Sequence, residues 1–254
     1  MIEVERLAKS YGSVRAVAGL SFRVGPGEIV GLVGPNGAGK TTTLRCMTGI
    51  IPADVGHVRI AGHRLDEQPL EAKRRLAFVP DEPRLFDYLT AHDHLVACAR
   101  LYGVRDADGR IDDLLREFEL GDRARSFPSE LSRGMKQKLM VAMALLHDPQ
   151  AILLDEPLTG LDPGAMRRMK ERIRRSADSG KSVLLSSHML HLVEELCSRI
   201  VIVAAGRKVL EGSLDEIRAA TAAHGTDRGL EEIFLRVVGE GRTEGESESG
   251  SDNA

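Results

Sequence analysis

Apolar and polar positions along the chain follow two periods. Residues 2–6 (IEVER) and 20–24 (LSFRV) alternate, which predicts short strands with one face in a core. Residues 28–33 (EIVGLV) form a nearly continuous apolar run that ends in a glycine-rich loop, the pattern of a strand covered on both faces of a parallel sheet. From Lys40 to about Gly49 the pattern turns helical. Residues 57–60 (HVRI) and 75–79 (RLAFV) predict two more short strands, the second stopped by Pro80.

Between residues 84 and 146 strand patterning almost vanishes. Three segments suit helices, and in the last of them Met135, Leu139, Met143 and Leu146 recur at helical spacing. The sheet pattern resumes at 151–155 (AILLD) and 182–186 (SVLLS). Asp162 as N-cap, Pro163 at the first helical position and Gly180 as stop frame a helix over 163–179. A helix at 189–198, a hairpin at 200–212 and a capping box opening at Ser213 follow. Residues 230–238 (LEEIFLRVV) predict a last amphipathic helix. Residues 239–254 hold five acids, one arginine and no large apolar side chain, so a disordered tail is expected there. The pattern as a whole predicts an α/β fold: a parallel-sheet core interrupted by a helical lobe at about 84–146.

Composition narrows the function. The 254 residues carry a net charge of −3, which gives no support to a nucleic-acid partner. Cys46, Cys98 and Cys197 are widely spaced and unpaired in pattern, as in a reduced cytosolic protein. The first residues lack the apolar stretch of a signal peptide. No window approaches the ~18 apolar residues of a membrane-spanning helix. Action at a membrane therefore requires a second chain that crosses it.

The chemistry begins at residues 34–42, Gly34-Pro35-Asn36-Gly37-Ala38-Gly39-Lys40-Thr41-Thr42, which fit G-x-x-x-x-G-K-[ST] between a strand and a helix. Glycines let successive backbone N–H groups turn inward around phosphate oxygens, and the following helix presents its positive end. Lys40 supplies a point charge to the β- and γ-phosphates, and the Thr41 hydroxyl can ligate Mg²⁺. The bland alternative is a glycine-rich turn with a surface lysine.

Asp155 and Glu156 end the apolar strand 151–155, and strand C-termini converge on the ligand crevice of a parallel sheet. Asp155 there can hold Mg²⁺ through water, and Glu156 can accept a proton from the attacking water. His188 follows the strand at 182–186. It is either an ordinary polar residue or a partner of the γ-phosphate and the water.

The order of these motifs, with LSRGM at 131–135 and LTGLD at 158–162, resembles the nucleotide-binding subunit of ATP-binding-cassette (ABC) transporters from Ile2 to about Val238. The resemblance implies a P-loop NTPase core with an antiparallel β subdomain and an inserted helical subdomain. It implies an ATPase that dimerises head to tail around two ATP molecules, the loop of one chain facing the signature of the other. Ser132 and Gly134 match the signature's phosphate-facing positions, although Ser132 also reads as a helix N-cap. Asp162 matches the position that bridges the two sites across the dimer. Tyr11 matches the aromatic residue that stacks on adenine.

Two motifs depart from the family pattern. Arg133 replaces the first glycine of the signature and Met135 its glutamine. Asp81 stands where the family usually has a glutamine that contacts Mg²⁺ and the attacking water, so altered Mg²⁺ dependence is expected. Both departures, and the LEEIF helix at 230–234, resemble the export-type branch with a separately encoded permease. That implies a place on the inner face of the cell membrane, reached through the permease. Leu85, Phe86, Tyr88 and Leu89 are either part of the permease-docking face or core of the helical lobe. The basic run from Arg167 to Arg175 reads as a solvated helix face. A soluble ABC ATPase outside transport, in cluster assembly or similar, is the alternative function. A regulatory module that hydrolyses little is the third.

Overall fold

The structure is a computed structural model and describes residues 1–222. The expected helix at 230–238 and the tail at 239–254 lie outside the described residues. The first strands are longer than the alternation predicts. β1 (Ile2–Tyr11) and β2 (Val14–Val24) pair antiparallel, and β1 also pairs with β4 (Val55–Ile60), which leads to the two-residue β5 (His63–Arg64). Shifts in register along β1 interrupt its alternation, which hides its true length from a period-two reading.

The second sheet has the order β10-β9-β3-β8-β7-β6. β3 (Ile29–Val33), β6 (Leu76–Val79), β7 (Ala151–Asp155), β8 (Ser182–Ser187) and β9 (Arg199–Ala204) run parallel, and β10 (Arg207–Ser213) closes the edge antiparallel to β9. Every residue of β3, β7 and β8 is buried. Alternate positions serve different cores. Leu153 and Leu184 join Ile2, Leu7, Leu20, Leu44 and Met47 on the face covered by the antiparallel sheet and α1 (Lys40–Met47). Ile152, Leu154, Val183 and Leu185 join the opposite core with Met169, Ile173, Leu192 and Val193. The last four come from α6 (Pro163–Asp178) and α7 (Leu190–Leu196).

α2 (Pro69–Arg74), a short helix before β6, escapes the periodicity because one turn and a half gives no repeat. α3 (Ala91–Tyr102), α4 (Ala107–Glu117) and α5 (Arg133–Leu146) occupy the stretch between β6 and β7. Thr90 and Asp93 form a capping box on α3, and Gly103 ends it in the left-handed region. Leu95, Ile111, Leu139 and Leu146 seat this helical unit on the same core as the sheet. α8 (Leu214–Ala222) starts at the Ser213 capping box, in which Glu216 N–H donates to Ser213 Oγ at 3.2 Å.

The basic run on α6 is less free than its sequence suggests. Arg168 reaches Glu119 beyond α4 at 2.5 Å, Arg172 approaches Glu117 at 3.6 Å, and Lys170 and Arg174 both pair with Glu195 on α7. These cations tie α6 to its neighbours.

Candidate functional site

The loops after β3, β6, β7 and β8 leave the same, C-terminal, edge of the parallel sheet. There they enclose an open cavity of about 350 Å³. Residues Pro35 to Thr42 line one side of it, and Asp81, Asp155, Glu156 and His188 line the other. Four separate segments of the sequence are thus brought to one place by a single sheet edge.

Two glycines explain the shape of the loop. Gly39 has φ +97° and faces β2, where an added Cβ would lie 2.2 Å from the Ala16 carbonyl oxygen. At Gly34 a Cβ would lie 2.4 Å from the Val203 carbonyl oxygen. Neither position accepts a side chain. Gly39 gives α1 no side-chain cap, so its first N–H groups keep their hydrogen-bonding capacity for an anion.

Lys40 is 8% exposed, and its Nζ donates to Gly34 O at 2.6 Å and Pro35 O at 3.2 Å. An ammonium has three donors, so one remains for a phosphate oxygen. Burial lowers the Lys40 pKa, and the charges of Glu156 and Asp155 oppose that shift. Asp155 is 3% exposed and accepts a short hydrogen bond from the Ser186 hydroxyl on the adjacent strand, the residue opposite it in register.

Glu156 adopts φ +48°, an uncommon conformation for a side chain of its size. Its backbone N–H donates to Ser186 O at 3.1 Å, and its carbonyl accepts from Thr159 N–H at 3.2 Å. The carboxylate accepts from His188 N–H at 3.0 Å, and the His188 ring Nδ1 lies 2.9 Å from the same oxygen. The surroundings therefore hold the strained residue and aim its carboxylate into the cavity with His188.

Other candidate positions stand apart from this cavity. Ser132 caps α5 by accepting from Met135 N–H at 3.2 Å. Asp162 caps α6 by accepting from Ala165 N–H at 2.9 Å, which lowers its pKa. The segments carrying them touch: a Cβ at Gly134 would lie 3.3 Å from the Gly160 carbonyl oxygen. Tyr11, at the end of β1, is 49% exposed with the Lys9 ammonium 5.9 Å from its ring centroid. Ala16 and Thr159 line the cavity without having been foreseen. Nothing in the sequence marks Ala16, which reaches the loop only through packing of β2. Thr159, three residues after Glu156, was within reach of a reading by spacing.

The chain matches the model of the family described as ABC transporter over residues 17–159. The chain belongs to that family. The cassette is 42% identical over 214 residues to the Nod factor export ATP-binding protein I of Paraburkholderia xenovorans (strain LB400), covering 84% of this chain and 70% of the relative. Its fold superposes with TM-score 0.88 on a solved ATP-binding subunit of an ABC transporter, at 37% identity, covering 93% of this chain and 99% of the other. A dimeric ATP-binding cassette in a post-hydrolysis state, bound to ADP and Pi, is similar with TM-score 0.76 and 25% identity, over 84% of this chain and 99% of that one. The cassette is accordingly an ATP-binding ATPase subunit of the ABC transporter type, with the P-loop NTPase fold that the motifs imply.

Proposed function

We propose that the cassette binds Mg·ATP in the cavity described above, dimerises head to tail around two nucleotides, and drives a separately encoded permease in export. The observation that carries this reading is the convergence of Lys40, Thr41, Asp81, Asp155, Glu156 and His188 on one cavity. Residues 1–238 form the ATP-binding domain in this reading, with the helical subdomain at about 84–146.

The donor set suits Mg²⁺. Thr41 offers a hydroxyl and Asp155 and Asp81 offer carboxylates, all hard oxygen ligands. No group of three or more His, Cys, Asp or Glu residues fit to hold a metal exists among the described residues. Thr41, Asp155 and Asp81 would hold the ion, with phosphate and water oxygens as its further ligands. The ion supplies charge neutralisation on the phosphate oxygens.

The backbone N–H groups of Gly34 to Thr42 and the Lys40 ammonium cradle the phosphates. Glu156 accepts the proton of the attacking water. His188 holds the Glu156 carboxylate and approaches the γ-phosphate. Ser132 and Gly134 complete the partner's site, Asp162 spans the two sites, and Tyr11 stacks on adenine.

No helix among the described residues is long and apolar enough to cross a membrane, so transport requires a membrane partner. Phe86 and Tyr88 are 70% and 93% exposed at the entrance to the helical lobe. Their exposure favours a docking face over a core role for this segment, while Leu85 packs against the core beneath it. In this arrangement the cassette lies in the cytoplasm, peripheral to the inner face of the membrane. The relative from Paraburkholderia carries export in its name, which supports that direction here.

Purification of the tagged chain from detergent-solubilised cells tests the reading. A polytopic membrane protein in stoichiometric yield is expected. Recovery of soluble partners only, or of a ribosome, overturns the transport assignment and leaves an ATPase serving another machine.

A further inference from the structure

Two of the three residues that break the family pattern meet in space. Asp81 stands in the loop after β6 and lines the phosphate cavity, whereas Arg133 is the first residue of α5. Arg133 Nη2 lies 3.7 Å from Asp81 Oδ1. The stem of Arg133 crosses Gly160, where an added Cβ would lie 3.1 Å from Cδ and 3.2 Å from Nε. Gly160 has φ +77°, a conformation that favours glycine, and its lack of a side chain leaves room for the arginine stem. Among the described residues Asp81 has no other ion-pair partner.

Charge explains what the pair does. The cavity is lined by three carboxylates, Asp81, Asp155 and Glu156, against one ammonium, Lys40. A triphosphate entering such a site is repelled by any carboxylate that lacks a counter-charge. Asp155 and Glu156 interact with the Lys40 ammonium as their counter-charge, and their oxygens also accept hydrogen bonds from Ser186 and His188. Asp81 is half exposed and depends on Arg133.

We propose that Arg133 is the counter-ion of Asp81 and, through it, a positioning residue for the phosphate end of the nucleotide in its own chain. The inference rests on the reading of the cavity as an ATP site. Arg133 holds the Asp81 carboxylate toward α5 and offsets its charge, so that the substitution of a carboxylate at this position remains compatible with an anionic ligand. The pair also ties the start of the signature helix to the nucleotide site of the same chain.

A double-mutant cycle in nucleotide binding tests this. The probe is a fluorescent ATP analogue titrated into the full-length chain at low salt, once in EDTA and once in excess Mg²⁺. In EDTA, Arg133→Gln is expected to weaken binding by about fivefold, the scale of an exposed ion pair. Excess Mg²⁺ is expected to shrink that loss, because the cation takes over the neutralisation of Asp81. In an Asp81→Asn background Arg133→Gln is expected to have no effect, and Arg133→Lys alone should stay near wild type. Equal losses in both backgrounds, or no loss in either, overturn the proposal. Both side chains are about half exposed, and circular dichroism with thermal unfolding establishes that each variant folds. A wild type that binds no nucleotide removes the ATP reading itself, whereas a wild type that binds without coupling removes only the role of Arg133.

Discussion

His188 grips one oxygen of Glu156 twice: its backbone N–H donates to Glu156 Oε1 at 3.0 Å, and its ring Nδ1 lies 2.9 Å from the same atom. A carboxylate only accepts, so ring Nδ1 carries a proton and donates it toward Glu156. The other carboxylate oxygen receives the Ser187 hydroxyl at 3.4 Å. Glu156 and His188 therefore behave as one unit, fixed from β7 and β8 together.

That unit predicts the outcome of removing its parts. Glu156→Gln keeps the shape and removes the base, so turnover is expected to fall by ~10²-fold or more while ATP binding stays close to wild type. His188→Ala is expected to lose a comparable factor. Residues acting as a unit are strongly non-additive, so the double variant should be little slower than the worse single one. Single-turnover hydrolysis of labelled ATP reads this directly. Losses that multiply would show that the two side chains act independently.

Lys40 gives a prediction about binding. Its Nζ is held by the carbonyls of Gly34 and Pro35, which keeps it within the loop that lines the cavity. Lys40→Ala removes a charge-assisted hydrogen bond to phosphate, worth ~1.5–3 kcal/mol, and should weaken ATP binding by roughly 10- to 100-fold. Calorimetric titration measures it. An unchanged affinity would mean that backbone donors alone hold the nucleotide.

The candidate cavity was legible in the sequence because its chemistry is local. Gly34 to Thr42 lie on one turn, and Asp155 with Glu156 sit at the end of an unmistakable buried strand. Parallel strands bring such ends together without any further information. Ala16 was illegible because its role is to press a carbonyl against Gly39 from another sheet, a contact between residues far apart in the chain. The pairing of Asp81 with Arg133 was hidden for the same reason: 51 residues, most of them in the helical lobe, separate two positions that each looked like an isolated departure. The length of β1 was underestimated because its register shifts break the alternation on which the reading relied.

Packing around the loop makes Gly39 a stability determinant. Gly39→Ala must accept φ +97° and a Cβ 2.2 Å from Ala16 O. The strain of a side chain in this region costs of order 1–3 kcal/mol, and the backbone clash adds to it. Urea denaturation should show a lower midpoint with an unchanged slope. A variant as stable as wild type would mean that β2 withdraws from the loop at no cost.

A last prediction concerns acid. His147, at the end of α5, stacks on Tyr102 of α3 with ring centroids 3.8 Å apart, and its Nε2 lies 3.3 Å from the Leu76 carbonyl oxygen of β6. It thus joins the helical unit to the sheet. Nε2–H is the donor to that carbonyl, and Nδ1 is buried without a hydrogen-bond partner. Burial lowers the His147 pKa. The Leu76 carbonyl and Asp148 oppose the shift, whereas the nearby Arg110 and Lys181 reinforce it. The sign follows from proton counting. Above the unfolded pKa of about 6.5 the ring is neutral in both states, and stability is independent of pH on its account. As pH falls through that value the unfolded chain takes up the proton first, so stability is lost until the folded pKa is passed. Wild type is therefore expected to lose stability below about pH 6.5 more steeply than His147→Phe, which keeps the stack on Tyr102 and carries no titrating group. Urea midpoints at pH 7.5 and pH 5.5 compare the two. Parallel losses in both proteins would place the acid sensitivity elsewhere.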